Sequence, residues 1–187
     1  MAEALSLLKK ASALLASTPD GTWRWQRELT LQIALASALI ADLGPGAPAV
    51  REAYERARHF WEILDRPSHF EPNVPLFWHH FLRGELEVAH KIASELTSFG
   101  NARDDIALKF IGRSYLAATC LARGEFAECR THSEQCLMLF DAVHVSPRLL
   151  YNGQVVSLIV LSCTVLYLGY LDQARLKMNQ ALFEARR

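Results

Sequence analysis

Arg83-Gly84-Glu85-Leu86 with Ala89, Arg123-Gly124-Glu125-Phe126 with Cys129, and Leu168-Gly169-Tyr170-Leu171 with Ala174 are three versions of one block. Each has a glycine that closes one apolar helical stretch and a second apolar residue that opens the next. A small residue stands five positions after every glycine, where two helices can approach closely. Twelve positions after the glycine stand Leu96, Cys136 and Ala181, the last two small. Self-similarity at a fixed period marks a stacked array of helix-turn-helix units, each too small to bury its apolar face alone. Gly84 and Gly124 are 40 residues apart, Gly124 and Gly169 are 45 apart, and Gly44 lies 40 before Gly84. Around Gly44 the unit is less regular, because Pro45-Gly46-Ala47-Pro48 lengthens its turn and shifts the small packing position to Ala53.

Outward from these blocks the periodicity predicts helices and no strands. They are expected over Ala2 to Ser17, Trp23 to Asp42, Ala47 to Leu64, Pro72 to Arg83, Glu85 to Phe99, Asp104 to Arg123, Glu125 to Phe140, Leu149 to Leu168 and Tyr170 to Ala185. Apolar residues recur at helical spacing, as in Leu5, Leu8 and Leu15, and no stretch alternates with period two. Asp20 or Thr22 is expected to cap the second helix and Asp104-Asp105 the sixth, since carboxylates and hydroxyls favour the positive helix end. Pro75 fits only in the first turn of its helix. The whole chain, 1–187, reads as a single repeat domain of antiparallel helix pairs coiled into a right-handed superhelix. Ala2 to Ser17 reads as the second half of a repeat whose first half is missing. Its strip of Leu5, Leu8 and Leu15 is therefore expected to need a cover, from a longer polypeptide or from another copy.

Composition excludes several classes of function. Lys and Arg number 20 and Asp and Glu number 20, so no net charge draws the chain to nucleic acid or to an anionic membrane. No apolar run reaches about 18 residues, and the amino-terminal stretch has no basic segment followed by an apolar signal core. A cytoplasmic protein without nucleic-acid or membrane partners is expected. Cys120, Cys129, Cys136 and Cys163 all fall in predicted helices without C-x-x-C spacing, and read as small buried residues where helices come close. Cys129 and Cys136 share a helix face, but zinc would need two further ligands there.

Catalytic and cofactor signatures are weak. No G-x-x-x-x-G-K-[ST] loop is present, and Gly44-Pro45-Gly46 is a turn leading into a helix. Glu87-Val88-Ala89-His90 has the Glu-x-x-His spacing of di-iron bundles, which require two copies; the chain has one. His79 and His80 are adjacent on a helix and are expected to diverge by about 100° instead of chelating one ion. No catalytic, cofactor or metal residue is assigned, and a non-enzymatic protein is expected. A helical enzyme or metal-binding protein and a homo-oligomeric scaffold are the competing readings.

Two resemblances sharpen this. Leu116-Ala117 before Gly124 and Leu161-Ser162 before Gly169 resemble the large and small pair in the first helix of a tetratricopeptide repeat. Phe126, Cys129 and Cys136, and Leu171, Ala174 and Ala181, resemble the second helix. The period exceeds the standard unit of about 34 residues. The early tryptophan is replaced by Asn73, Arg113 and Leu158, the proline after the second helix is absent, and Phe77 replaces the small residue in the Gly84 unit. The chain also looks like the helical repeat region that follows the ATPase module of large bacterial signalling proteins, linked to adenylate or guanylate cyclase domains or to LuxR-type regulators. The stretches that carry this are Gln26-Arg27-Glu28-Leu29, Leu31-Gln32-Ile33-Ala34-Leu35, Ala53-Tyr54-Glu55-Arg56-Ala57-Arg58, and the blocks at Gly84 and Gly169.

These resemblances imply a regulatory or sensing domain that binds a protein or peptide. The partner would be another domain of the same polypeptide, a separate protein or a second copy in a homodimer. By analogy with tetratricopeptide repeats, the concave groove would be lined by Trp78, Phe81, Leu82, Ile111, Ser114, Ala118, Leu121, Val156, Ile159, Cys163, Leu166 and Tyr167. Such a groove can draw affinity from apolar burial at about 25 cal/mol per Å² without charge pairing.

Overall fold

The structure is a computed structural model and describes residues 2–66, 73–140 and 153–186. These residues form nine helices and no strand: α1 (Ala2–Ala16), α2 (Thr22–Leu43), α3 (Pro48–Ile63), α4 (Asn73–Leu82), α5 (Leu86–Ala102), α6 (Ile106–Arg123), α7 (Phe126–Phe140), α8 (Gly153–Tyr167) and α9 (Leu171–Glu184). They follow the sequence-based expectation closely, except that α5 runs on through Gly100 to Ala102. The beginning expected for the eighth helix, Leu149 to Asn152, lies outside the described residues. Two compact units emerge, Met1–Glu85 with α1 to α4 and Leu86–Arg187 with α5 to α9.

In the first unit each helix packs on the next in sequence. The spacing of three and four between Val50, Ala53, Tyr54, Ala57 and Trp61 puts them all on the buried face of α3. Ala53, the shifted small position, is buried as expected. Leu15 is buried and Leu5 and Leu8 are half-buried, with α1 packed on α2. The strip expected to lie open is thus the packed side of α1, and the exposed leucines are Leu7 and Leu14. Neither Asp20 nor Thr22 caps α2: Gly21 is the N-cap, with no side-chain bond. Asp20 instead pairs with Arg24 at 2.8 Å.

In the second unit α5 to α9 also pack in chain order, and α6 additionally touches α8. Their registers follow from paired contacts. From Cys129 to Cys136 along α7, the α6 carbonyls that receive the thiols run backwards from Ala117 to Phe110. The α8 partners run backwards from Thr164 to Ser157. Both neighbours of α7 are therefore antiparallel to it. The same holds for α5 and α6, which meet backbone to backbone at two glycines. A Cβ on Gly100 would come within 2.6 Å of Lys109 N, and one on Gly112 within 2.6 Å of Thr97 N.

The repeated glycines close their helices in one way. Gly84, Gly124 and Gly169 have φ of 74°, 78° and 88°, a left-handed conformation that glycine adopts without steric cost. Each donates its N–H to the carbonyl three residues back, and the next residue donates to the carbonyl five back, at 3.0, 2.9 and 2.8 Å for Glu85, Glu125 and Tyr170. That pair of bonds is the Schellman motif. Gly44 also has positive φ, but its N–H donates to Ile40 O, four residues back, and its carbonyl accepts from Ala47 N, in keeping with its longer turn. The small positions lie where the repeat predicts: Ala89, Cys129 and Ala174 are all buried, as are Leu96, Cys136 and Ala181. Phe77, at the position of Ala117 and Ser162, is accommodated by stacking on Phe81, with ring centroids 5.4 Å apart.

Two further Schellman turns carry aspartate in place of glycine, with Asp65 N donating to Glu62 O and Asp104 N to Asn101 O. Asp65 and Asp104 hold positive φ, 57° and 50°, at the ends of α3 and α5, with Arg66 N donating to Trp61 O and Asp105 N to Gly100 O. Asp104 thus does not cap α6. It terminates α5 and pairs with Lys109 at 2.5 Å, while Asp105 is the N-cap and accepts from Leu108 N at 3.1 Å.

Candidate functional site

The core beneath the α8 surface is built around thiols. Cys129 Sγ lies 3.1 Å from Ala117 O and 2.9 Å from Thr164 Oγ1, and Cys136 Sγ lies 3.0 Å from Ser114 Oγ and 3.4 Å from Ser157 Oγ. One helical repeat of seven residues therefore bridges α6 and α8 twice. Burial pushes the thiols of Cys129 and Cys136 up, and that of Cys120 up to about 12. None is poised as a nucleophile or metal ligand. In the α8–α9 pair the polarity is exchanged: Ser162, at the repeat position of Ala117, donates to the carbonyl of Ala174, at the position of Cys129, at 2.8 Å.

Over this core, the groove positions expected from the sequence separate into classes. Val156, Ile159, Leu166 and Tyr167 on α8 are exposed, and Cys163 between them is half-buried. Tyr167 is 65% exposed although one face stacks on Phe126, with ring centroids 4.8 Å apart. On α6, Ala118 and Leu121 are half-buried, and Leu121 packs with Val160 against Ala117, Cys120 and Cys129. Ile111 is only 4% exposed and belongs to the core instead of a groove wall. Ser114 engages Cys136 on α7. The exposed part of the expected lining in this unit is therefore the α8 strip. In the first unit, Trp78 and Phe81 are half-buried and in edge-to-face contact, and Leu82 is exposed.

Sequence reasoning missed a second set of exposed apolar residues, on and just before α9. Leu171, Leu176, Leu182 and Phe183 on α9 and Tyr170 before it are exposed. Two of these have counterparts one unit earlier. Leu171 holds the repeat position of Phe126 and Leu182 that of Leu137. In α7 those positions do packing work: Phe126 stacks on Tyr167, and Leu137 packs against Leu161, Val165 and Ala174. In α9 they are 67% and 48% exposed. The equivalence could have been read from the glycine register.

No family model, no curated protein and no solved structure matches the chain.

The residues that could suggest metal or acid-base chemistry are arranged differently from expectation in one place. Glu87 pairs with Arg123 at 3.4 Å, and His90 Nδ1 faces Thr119 Oγ1 at 3.4 Å, so the Glu-x-x-His spacing does not converge on a centre. His79 and His80, by contrast, do not simply diverge. Together with Glu85 they place their ligand atoms within 4.8 Å of one another, the one such cluster of three among the described residues.

Proposed function

We propose that this chain is a non-enzymatic, tetratricopeptide-like repeat domain that binds a protein partner through the exposed apolar surface of α8 and α9. The observation that carries this is the pairing of Leu171 and Leu182 with Phe126 and Leu137. The same repeat positions that hold a helix pair in place within α7 face outward on α9. A surface with side chains of helix-packing type at helix-packing spacing suits an amphipathic helix or apolar peptide. The right-handed superhelical stacking belongs to the same reading, supported by the antiparallel register of α5 to α8 and by the contact of α6 with α8. A regulatory role in a bacterial signalling ATPase rests on the resemblance of the quoted stretches.

Selection of helical peptides from a displayed library against the purified chain tests this reading. Peptides with apolar residues at spacings of three and four are expected, and Ile159→Glu and Leu182→Glu should each weaken their binding at least about tenfold, by placing a charge in an apolar contact. Both positions are exposed, so the helical circular dichroism should be unchanged. Failure to select any peptide, or binding indifferent to both substitutions, would remove the proposal.

A further inference from the structure

The turn at Gly84 differs from its two counterparts in what it brings together. A Schellman turn folds the residue after the glycine back on residues four and five positions before it, and this contact is usually apolar. At Gly169 it sets Tyr170 against Val165, and at Gly124 Glu125 against Cys120. At Gly84 it sets Glu85 against His80, with His79 alongside. This is why adjacent histidines, which the helix alone would splay apart, share a neighbourhood: their common partner arrives from beyond the helix end.

The polar bonds around the three residues orient them as ligands. His79 is 1% exposed, and its Nδ1 lies 3.0 Å from Pro45 O. A carbonyl only accepts, so Nδ1 carries the proton and the Nε2 lone pair is left as the donor to an electrophile. Backbone anchoring of one ring nitrogen is the usual support of a metal-binding histidine. Glu85 Oε1 accepts from Arg83 Nε at 2.7 Å, and Oε2 lies 2.6 Å from His80 Nδ1. Arg83 also reaches Gly46 O at 3.3 Å, tying the carboxylate's support to the turn that anchors His79. Half-buried Glu85 and His80 form the side from which an ion can enter.

We propose that His79, His80 and Glu85 form a binding site for a zinc-class divalent cation. Two imidazoles and one carboxylate match zinc, whereas magnesium and calcium favour all-oxygen sites. Bonds of about 2.0 to 2.2 Å require tetrahedral ligand atoms about 3.4 Å apart. The ligand atoms lie within 4.8 Å, so side-chain rotation closes the set, and the 2.6 Å His80–Glu85 contact opens as the ion replaces the bridging proton. That proton exchanges through solvent to Nε2 of the same ring, which frees the Nδ1 lone pair, and a water completes the fourth position. The bound ion would clamp the Pro45 turn to the end of α4 through His79.

Equilibrium dialysis of the full chain against zinc, followed by elemental analysis, tests the site. About one zinc per chain is expected, with no retention of magnesium. His80→Gln and Glu85→Gln keep hydrogen-bonding capacity at part-exposed positions and should each abolish retention while the helical circular dichroism is preserved. Thermal unfolding should shift upward by about 5 °C with zinc at about a hundred times its dissociation constant, in the wild type only. Cobalt in place of zinc gives a readout that does not depend on the variants: ligand-field bands of a nitrogen and oxygen site are expected. No zinc retention by the wild type, retention unchanged in either variant, or a thiolate-to-cobalt charge-transfer band would each overturn the proposal.

Discussion

Cys129 and Thr164 meet at 2.9 Å across the buried interface of α7 and α8, and the Thr164 hydroxyl also lies 2.7 Å from Val160 O. With the hydroxyl proton directed to Val160, the single S–H of Cys129 serves both Thr164 Oγ1 and Ala117 O. One buried side chain therefore ties α6, α7 and α8. Cys129→Leu should destabilise the second unit by about 1 to 3 kcal/mol through overpacking. Thr164→Val should cost about 1 kcal/mol from the lost hydrogen bonds. Urea unfolding followed by circular dichroism measures both, and a neutral Cys129→Leu would show that the interface has slack the burial does not suggest.

Gly112 and Gly124 make a contrasting pair. An alanine at Gly112 puts a Cβ within 2.6 Å of Thr97 N and 2.9 Å of its Cα, both backbone, so α5 and α6 must separate. A loss of about 2 to 3 kcal/mol is expected. At Gly124 there is open space, but φ is 78°. Alanine there should cost about 1 to 2 kcal/mol from the backbone alone. Denaturation midpoints that rank Gly124→Ala as the more damaging of the two would contradict the close approach of α5 and α6.

Ala174 is buried between α8 and α9, and its carbonyl accepts from Ser162. Replacing it with phenylalanine should destabilise the last helix pair by about 1 to 3 kcal/mol. An unchanged melting temperature would mean that α9 is free to move aside.

Thiol chemistry should separate the cysteines. Cys120, Cys129 and Cys136 are buried, and Cys163 alone is half-buried. A thiol-specific reagent at pH 8 is expected to modify Cys163 first and the other three only on unfolding, which mass spectrometry of tryptic peptides resolves. For Cys120, burial first and the Glu125 carboxylate second raise the folded value from 9.0 to about 12. A group raised in the folded state stabilises fully below its unfolded value. This contribution is therefore present below about pH 9 and lost as pH rises from there towards about 12. Cys120→Ala should accordingly flatten the alkaline decline in stability above pH 9 while leaving the profile near neutrality unchanged in shape.

The helices, the glycine turns and the small buried positions were all legible in the chain, because each depends on local chemistry. Apolar residues at helical spacing, a left-handed glycine and a side chain small enough for close approach act within one or two turns of their own position. What the sequence alone left open depended on which residue arrives from elsewhere. Asp104 and Asp105 look alike as acids at a helix start, yet one ends α5 in a left-handed conformation and the other caps α6. Ile111 has the periodicity of a groove residue but is buried in the unit's core.

By itself, the sequence determined that the described residues are helical, where the glycine-closed helices end and which small residues would be enclosed. Only the tertiary structure decided that Tyr167 and Leu171 stay exposed while Phe126 and Leu137 are partly covered, and that His79 and His80 converge with Glu85. The reason is physical: turn and helix preferences are fixed by neighbours along the chain, whereas exposure and convergence depend on which surfaces meet after every helix has been placed.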